Sequence, residues 1–75
     1  MPTVDPALAI VLRRLRIDRD LSQELVAHKA GIAYTTLAKI ELGRSSPAWG
    51  TVRAIASALD VTMSELGAAV DAETH

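Results

Sequence analysis

Two short runs of helical periodicity, one ending at Ala30 and the next starting at Tyr34, are separated by only Gly31-Ile32-Ala33. That spacing constrains the fold more than any other feature of the chain. A connection this short does not let two helices lie antiparallel as an ordinary hairpin, so the second must cross the first steeply. Positions around the crossing meet its size requirements. Ala27 is small enough for close approach, and Gly31 supplies a left-handed turn. Val26, Ile32, Leu37 and Ile40 are apolar and can seal the junction.

Gln23 to Leu42 therefore reads as a helix-turn-helix, and the rest of the chain is helical by the same periodicity, with no useful alternating strand pattern. A first helix starts at Asp5, a capping residue, with Pro6 where its missing N–H costs nothing, and runs to about Asp18 with Leu8, Val11, Leu12 and Leu15 on one face. Ser22 caps the second helix and Gly31 ends it. The third covers about Tyr34 to Leu42 and closes at Gly43. A turn follows, Arg44-Ser45-Ser46-Pro47. The fourth carries Val52, Ile55, Ala56 and Leu59. The fifth opens on a Thr62-x-x-Glu65 capping box, with Val61 and Leu66 spaced as a hydrophobic staple. The expectation is one all-α, compact five-helix domain over residues 5–70, with 71–75 a disordered tail because it offers almost nothing to bury.

Composition matters here mainly for what it excludes. A chain of 75 residues has room for one small domain, and without cysteine neither a disulfide framework nor a thiolate zinc site can stabilise it. Self-association is a live source of stability. No basic start marks a secretion signal, and the longest apolar run, Ala7 to Leu12, is far too short for a membrane span. The formal charge of −1 is a cancellation. Residues 1–53 hold all eight bases against five acids, whereas residues 54–75 hold four acids and no base. An expected soluble, cytoplasmic protein with a basic segment follows.

The stretch Leu21-Ser22-Gln23-Glu24-Leu25-Val26-Ala27-His28-Lys29-Ala30-Gly31-Ile32, with Leu37-Ala38-Lys39-Ile40-Glu41-Leu42-Gly43-Arg44 and Pro47, resembles the Xre/Cro class of phage-repressor-like DNA-binding domains, over about residues 7 to 67. The resemblance implies five helices, with the third entering the major groove of an operator. It also implies a two-fold dimer on a palindromic site, with half-sites about 34 Å apart. It makes Gln23 a phosphate or base contact, and Tyr34, Thr35, Ala38 and Lys39 the groove-facing positions. Arg16 and Glu41 match an internal salt bridge of such repressors. Ala33 stands where a capping Ser or Thr is common, Leu42 where a polar residue is usual, and Ala48 and Gly50 weaken the start of the fourth helix.

The spacing itself agrees: with Leu37 and Ile40 inward, positions 34, 35, 38, 39 and 42 fall on the opposite face. There Lys39 can donate to guanine O6 and N7, Thr35 can bond a base or a phosphate, and the Ala38 and Thr35 methyls can touch thymine. Thr36, Arg44 and Ser46 are candidate phosphate contacts that set register. On the fifth helix, Met63, Leu66, Ala69 and Val70 are a candidate dimer seam, against the plainer role of Leu66 in closing the core. Trp49 is expected to pack in the core rather than stack on a base, and His28 to be solvated. His28 and His75 lack partners at ligand spacing, so neither a metal nor a cofactor is expected, nor a small-molecule ligand. No catalytic constellation is present. Two functions remain: a transcriptional regulator similar to restriction-modification controllers and phage or plasmid repressors, or a module that holds a protein partner such as a toxin. The Arg44, Lys39 and Gln23 side chains favour the first, and Ala33 and Leu42 the second.

Overall fold

Helix caps set the element boundaries. The computed structural model describes residues 5–74, in the order α1 (Pro6–Asp18), α2 (Gln23–Ala30), α3 (Tyr34–Glu41), α4 (Trp49–Ala58) and α5 (Met63–Thr74). At α1 the Asp5 carboxylate accepts from the amides of Ala7 and Leu8 at 3.0 and 3.3 Å. The Ser22 hydroxyl accepts from the Leu25 amide at 3.0 Å. At α5 the box is reciprocal, with Glu65 N–H donating to Thr62 Oγ1 at 3.0 Å and Thr62 N–H donating to Glu65 Oε1 at 2.9 Å. These bonds hold the Glu65 carboxyl below its ordinary pKa, the backbone bond from Thr62 contributing most. α3 and α4 start at Ala33 and Ala48 without a side-chain cap.

Four helix ends share one device, an amide donating back to the carbonyl five residues earlier. The pairs are Leu21 to Arg16, Ile32 to Ala27, Arg44 to Lys39 and Val61 to Ala56, at 2.9–3.1 Å. Each needs one residue in the left-handed region just before the donor. Gly31 (φ 71°) and Gly43 (φ 72°) supply two of these, and Asp20 (φ 55°) and Asp60 (φ 60°) the others. Aspartate tolerates that conformation better than most side chains.

The core gathers one stripe from every helix: Val11 and Leu12, Val26 and Ala27, Leu37 and Ile40, Val52, Ile55, Ala56 and Leu59, and Leu66. α2 packs most extensively on α4 and α1 on α5, while α3 lies against α1 and α2. Two expectations need correction. α5 continues to Thr74, four residues past Val70, because Arg14 on α1 pairs with Glu73 at 2.6 Å and the Thr74 hydroxyl donates to the Val70 carbonyl at 2.8 Å. Only His75 of the expected tail lies outside the described residues, as do Met1 to Val4 at the other end. Trp49 does not pack in the core: at the first position of α4 it is 68% exposed.

Candidate nucleic-acid interface

α3 reaches its position through a single buried carboxylate. Glu41, at the last turn of α3, has a side chain only 2% exposed. Arg16 of α1 grips it with both faces of its fork, Nε to Oε2 at 2.8 Å and Nη2 to Oε1 at 2.9 Å. Arg16 Nη1 also donates to the Leu21 carbonyl at 2.9 Å, tying in the segment that leads to α2. Gln23, the first residue of α2, donates its Nε2 to Glu41 Oε1 at 3.1 Å. Three helices thus meet on one side chain. Among the described residues no buried side-chain polar atom lacks a partner. The hydrogen bond to Glu41 raises the Arg16 pKa further above its ordinary value, so the guanidinium stays charged.

Around this node the apolar side of α3, Leu37 and Ile40, is fully buried. Its other side faces out: Tyr34 is 48% exposed, Thr35, Thr36 and Lys39 are exposed, and Ala38 is half-buried between them. Beyond Gly43, Arg44 and Ser46 are exposed on the loop leading to α4. Among the described residues none of these side chains is hydrogen-bonded within the protein, which leaves Lys39 and Arg44 as unpaired cations at the C-terminal end of α3.

The fold brings together all the groove-facing positions named from the sequence. It gives Gln23 a different primary contact, because the amide that was to meet DNA is half-buried and orients Glu41. This bond joins residues 18 apart on different helices, so it follows from where α2 and α3 cross. The expected seam on α5 is also corrected at one position. Leu66 is 2% exposed and belongs to the core, since it faces back onto α1 and α4, whereas Met63, Ala69 and Val70 are half-buried at its edge. Missed entirely was an apolar surface on the outer side of α1 and the end of α3. There Ile10, Ile17 and Leu42 are 49, 48 and 66% exposed beside Arg13 and Arg14.

With this geometry in place, comparison with known proteins fixes the class. The helix-turn-helix family model (HTH_3) matches residues 12–66, most of the chain, which therefore belongs to the helix-turn-helix family of the Xre/Cro type. Among its relatives is the cryptic phage CTXphi transcriptional repressor RstR of Vibrio cholerae, 39% identical over 64 residues. That match takes in 85% of this chain, which spans 56% of the repressor's length. The fold is similar to the wild-type restriction-modification controller protein C.Esp1396I (TM-score 0.90, 18% identity, 99% of this chain and 95% of that one). It is also similar to that controller as a tetramer on its natural 35 base-pair operator (TM-score 0.89, 18% identity, 97% and 96% of the chains). The clp gene regulator ClgR of Corynebacterium glutamicum superposes with a TM-score of 0.86 at 20% identity, over 95% of this chain and 76% of its own.

Proposed function

We propose that this chain is a sequence-specific duplex-DNA-binding transcriptional regulator that acts as a homodimer on a palindromic operator and represses or autoregulates a nearby promoter. The observation that carries this reading is the Glu41 node, because it locks α3 with Leu37 and Ile40 buried and Tyr34, Thr35, Ala38 and Lys39 outward. A helix held by a saturated buried ion pair keeps one orientation, as reading base edges requires. Lys39 reads guanine, Thr35 and Ala38 make base or methyl contacts, and Tyr34 touches a base or phosphate at the front of the helix. Thr36, Arg44 and Ser46 hold phosphates, and the uncapped amides at the start of α4 add to them. Gln23 acts first as a positioning residue for Glu41, and its remaining amide N–H is free to donate to a phosphate.

Charge sets the character of binding. The acids without bases lie in residues 54–75, away from α3, and the basic segment ending at Arg53 carries only a modest excess. Each protomer neutralises few phosphates, so affinity depends on dimerisation and falls with added salt. Such a regulator works in the cytoplasm, and the reading assigns no catalytic role to any side chain. RstR is named a transcriptional repressor, and the C.Esp1396I tetramer is described with its operator, which supports the reading.

Selection of bound duplexes from a random pool tests it: an enriched palindrome with half-sites one turn apart is expected. A second reading, a module that holds a protein partner such as a toxin, is favoured by the exposed Ile10, Ile17 and Leu42 surface. A pool that shows no enrichment overturns the DNA reading in its favour.

A further inference from the structure

Ile10, Ile17 and Leu42 are three of the six large apolar side chains exposed among the described residues, and all three line one open groove of about 520 Å³. Apolar side chains scattered singly over a surface are ordinary, whereas a shared groove marks a place of contact. Ile10 and Ile17 stand seven residues apart on one side of α1, two turns or about 10 Å, so the groove runs along the helix for the length of a short contact face. Its charge is one-sided. Of the four ionisable lining residues, Glu41 is held by Arg16 and Arg14 by Glu73, which leaves Arg13 and Asp18. Arg13 is one turn from Arg16, on the side of α1 that holds α3, and so borders Leu42, beyond which stand the unpaired Lys39 and Arg44. Asp18 follows Arg14 on the opposite flank. The α3 side of the groove therefore carries three free cations and the far side one free acid.

We propose that this groove docks an acidic amphipathic helix of a partner protein, and that the docked helix and operator DNA exclude each other. The exclusion rests on the DNA reading above, whereas the docking does not. Nucleic acid itself does not suit the groove, because Ile10, Ile17 and Leu42 offer a phosphate no donor. A second copy of the chain does not suit it either, since a two-fold axis through the groove would set Arg13, Lys39 and Arg44 against the same cations. An extended peptide has no strand to pair with, every described element being a helix. A helix with apolar side chains at i, i+3 or i+4, and i+7 covers the three exposed residues, and Asp or Glu along one flank meets Arg13 and then Lys39 and Arg44. Those last two cations are the ones assigned to DNA. Leu42 also shares the outward side of α3 with Thr35, Ala38 and Lys39, so a helix seated on it lies across the edge of the reading face. Such a partner would release a promoter without any small-molecule ligand.

A displayed library of short helical peptides, randomised along one face and selected on the full chain, tests the groove. Enriched helices should carry the apolar spacing with Asp or Glu on one flank. Ile17→Ser and, separately, Ile10→Ser should weaken the best of them by a factor of about ten or more, and having two such variants keeps the test valid if one fails to fold. Arg13→Glu should turn the selected flank from acidic to basic, which a loss of folding would not do. The best helix should displace a selected operator duplex from the wild-type chain but not from Ile17→Ser, whose own duplex affinity should be unchanged. No enrichment, or enriched helices indifferent to Ile10, Ile17 and Arg13, overturns the proposal and leaves the DNA reading standing. Helix and duplex bound together on one chain also overturn it. A chain that enriches the acidic helices yet binds no duplex supports the docking and overturns the DNA reading.

Discussion

The two ends of the protein solve the same problem in opposite ways. Where α1, α2 and α3 meet, a carboxylate is buried and both its oxygens are engaged, by Arg16 twice and Gln23 once. Where α1, α4 and α5 meet, the contacts are apolar, a cleft stays open, and the largest side chain of the sequence stands outside the core. A hydrogen-bonded buried node holds one geometry, which suits the base reading proposed for α3. An unfilled apolar face is satisfied by addition, which suits association. A small domain buries only about 60% of its unfolded surface, so an open apolar end beside a rigid one is affordable in stability only to a limited extent.

The comparison breaks hardest at Glu41. Removing one partner of a buried pair strands the other, so Glu41→Ala should cost about 3–5 kcal/mol of unfolding free energy, read from urea midpoints. Replacing both partners with apolar residues, Arg16→Met with Glu41→Leu, should cost clearly less while impairing DNA binding, because Gln23 and α3 lose their shared anchor. Equal destabilisation by the single and double changes would count against a saturated node. Smaller effects come from the caps. Ser22→Ala and Thr62→Ala should each cost about 1 kcal/mol, whereas Ala33→Ser, which offers α3 the cap it lacks, should add a few tenths to about 1 kcal/mol. The last effect is in pH. Glu65 has a lowered pKa in the folded protein, so its stabilising contribution is complete above the ordinary carboxylate value of about 4.3 and is lost as pH falls through the lowered one. Wild type should therefore lose more thermal stability than Glu65→Gln on acidification below about pH 4.

Most of the fold was legible because each helix start and stop has its own local chemistry. Asp5-Pro6, Ser22, Gly31, Gly43 and the Thr62-x-x-Glu65 box are readable without tertiary knowledge, and all lie at element boundaries. Left-handed Asp20 and Asp60 were less legible, since aspartate at a helix end reads equally well as a cap or a loop residue. The outward set on α3 followed from period alone once Leu37 and Ile40 were inward. The misses all needed distances between helices. Gln23 lies 18 residues from Glu41 in sequence, and Arg14 lies 59 from Glu73, so neither bond has a local signature. The exposure of Trp49 and the burial of Leu66 have the same origin. Which of two apolar residues closes a core depends on where α4 and α5 cross, and periodicity is silent on that.

The central claim is that the face of α3 locked by Glu41 reads base pairs while the loop after it holds phosphates. The most direct test is Lys39→Ala against Arg44→Ala, with affinities measured on a selected duplex, on its single-base variants and on random DNA across a range of salt. Lys39→Ala should lose about 1–3 kcal/mol on the selected duplex and relax preference at one base pair of each half-site. Arg44→Ala should weaken all sequences alike and reduce the salt slope by about one per site. If Lys39→Ala weakens selected and random duplexes equally, with every base preference intact, α3 does not read sequence and the account is contradicted.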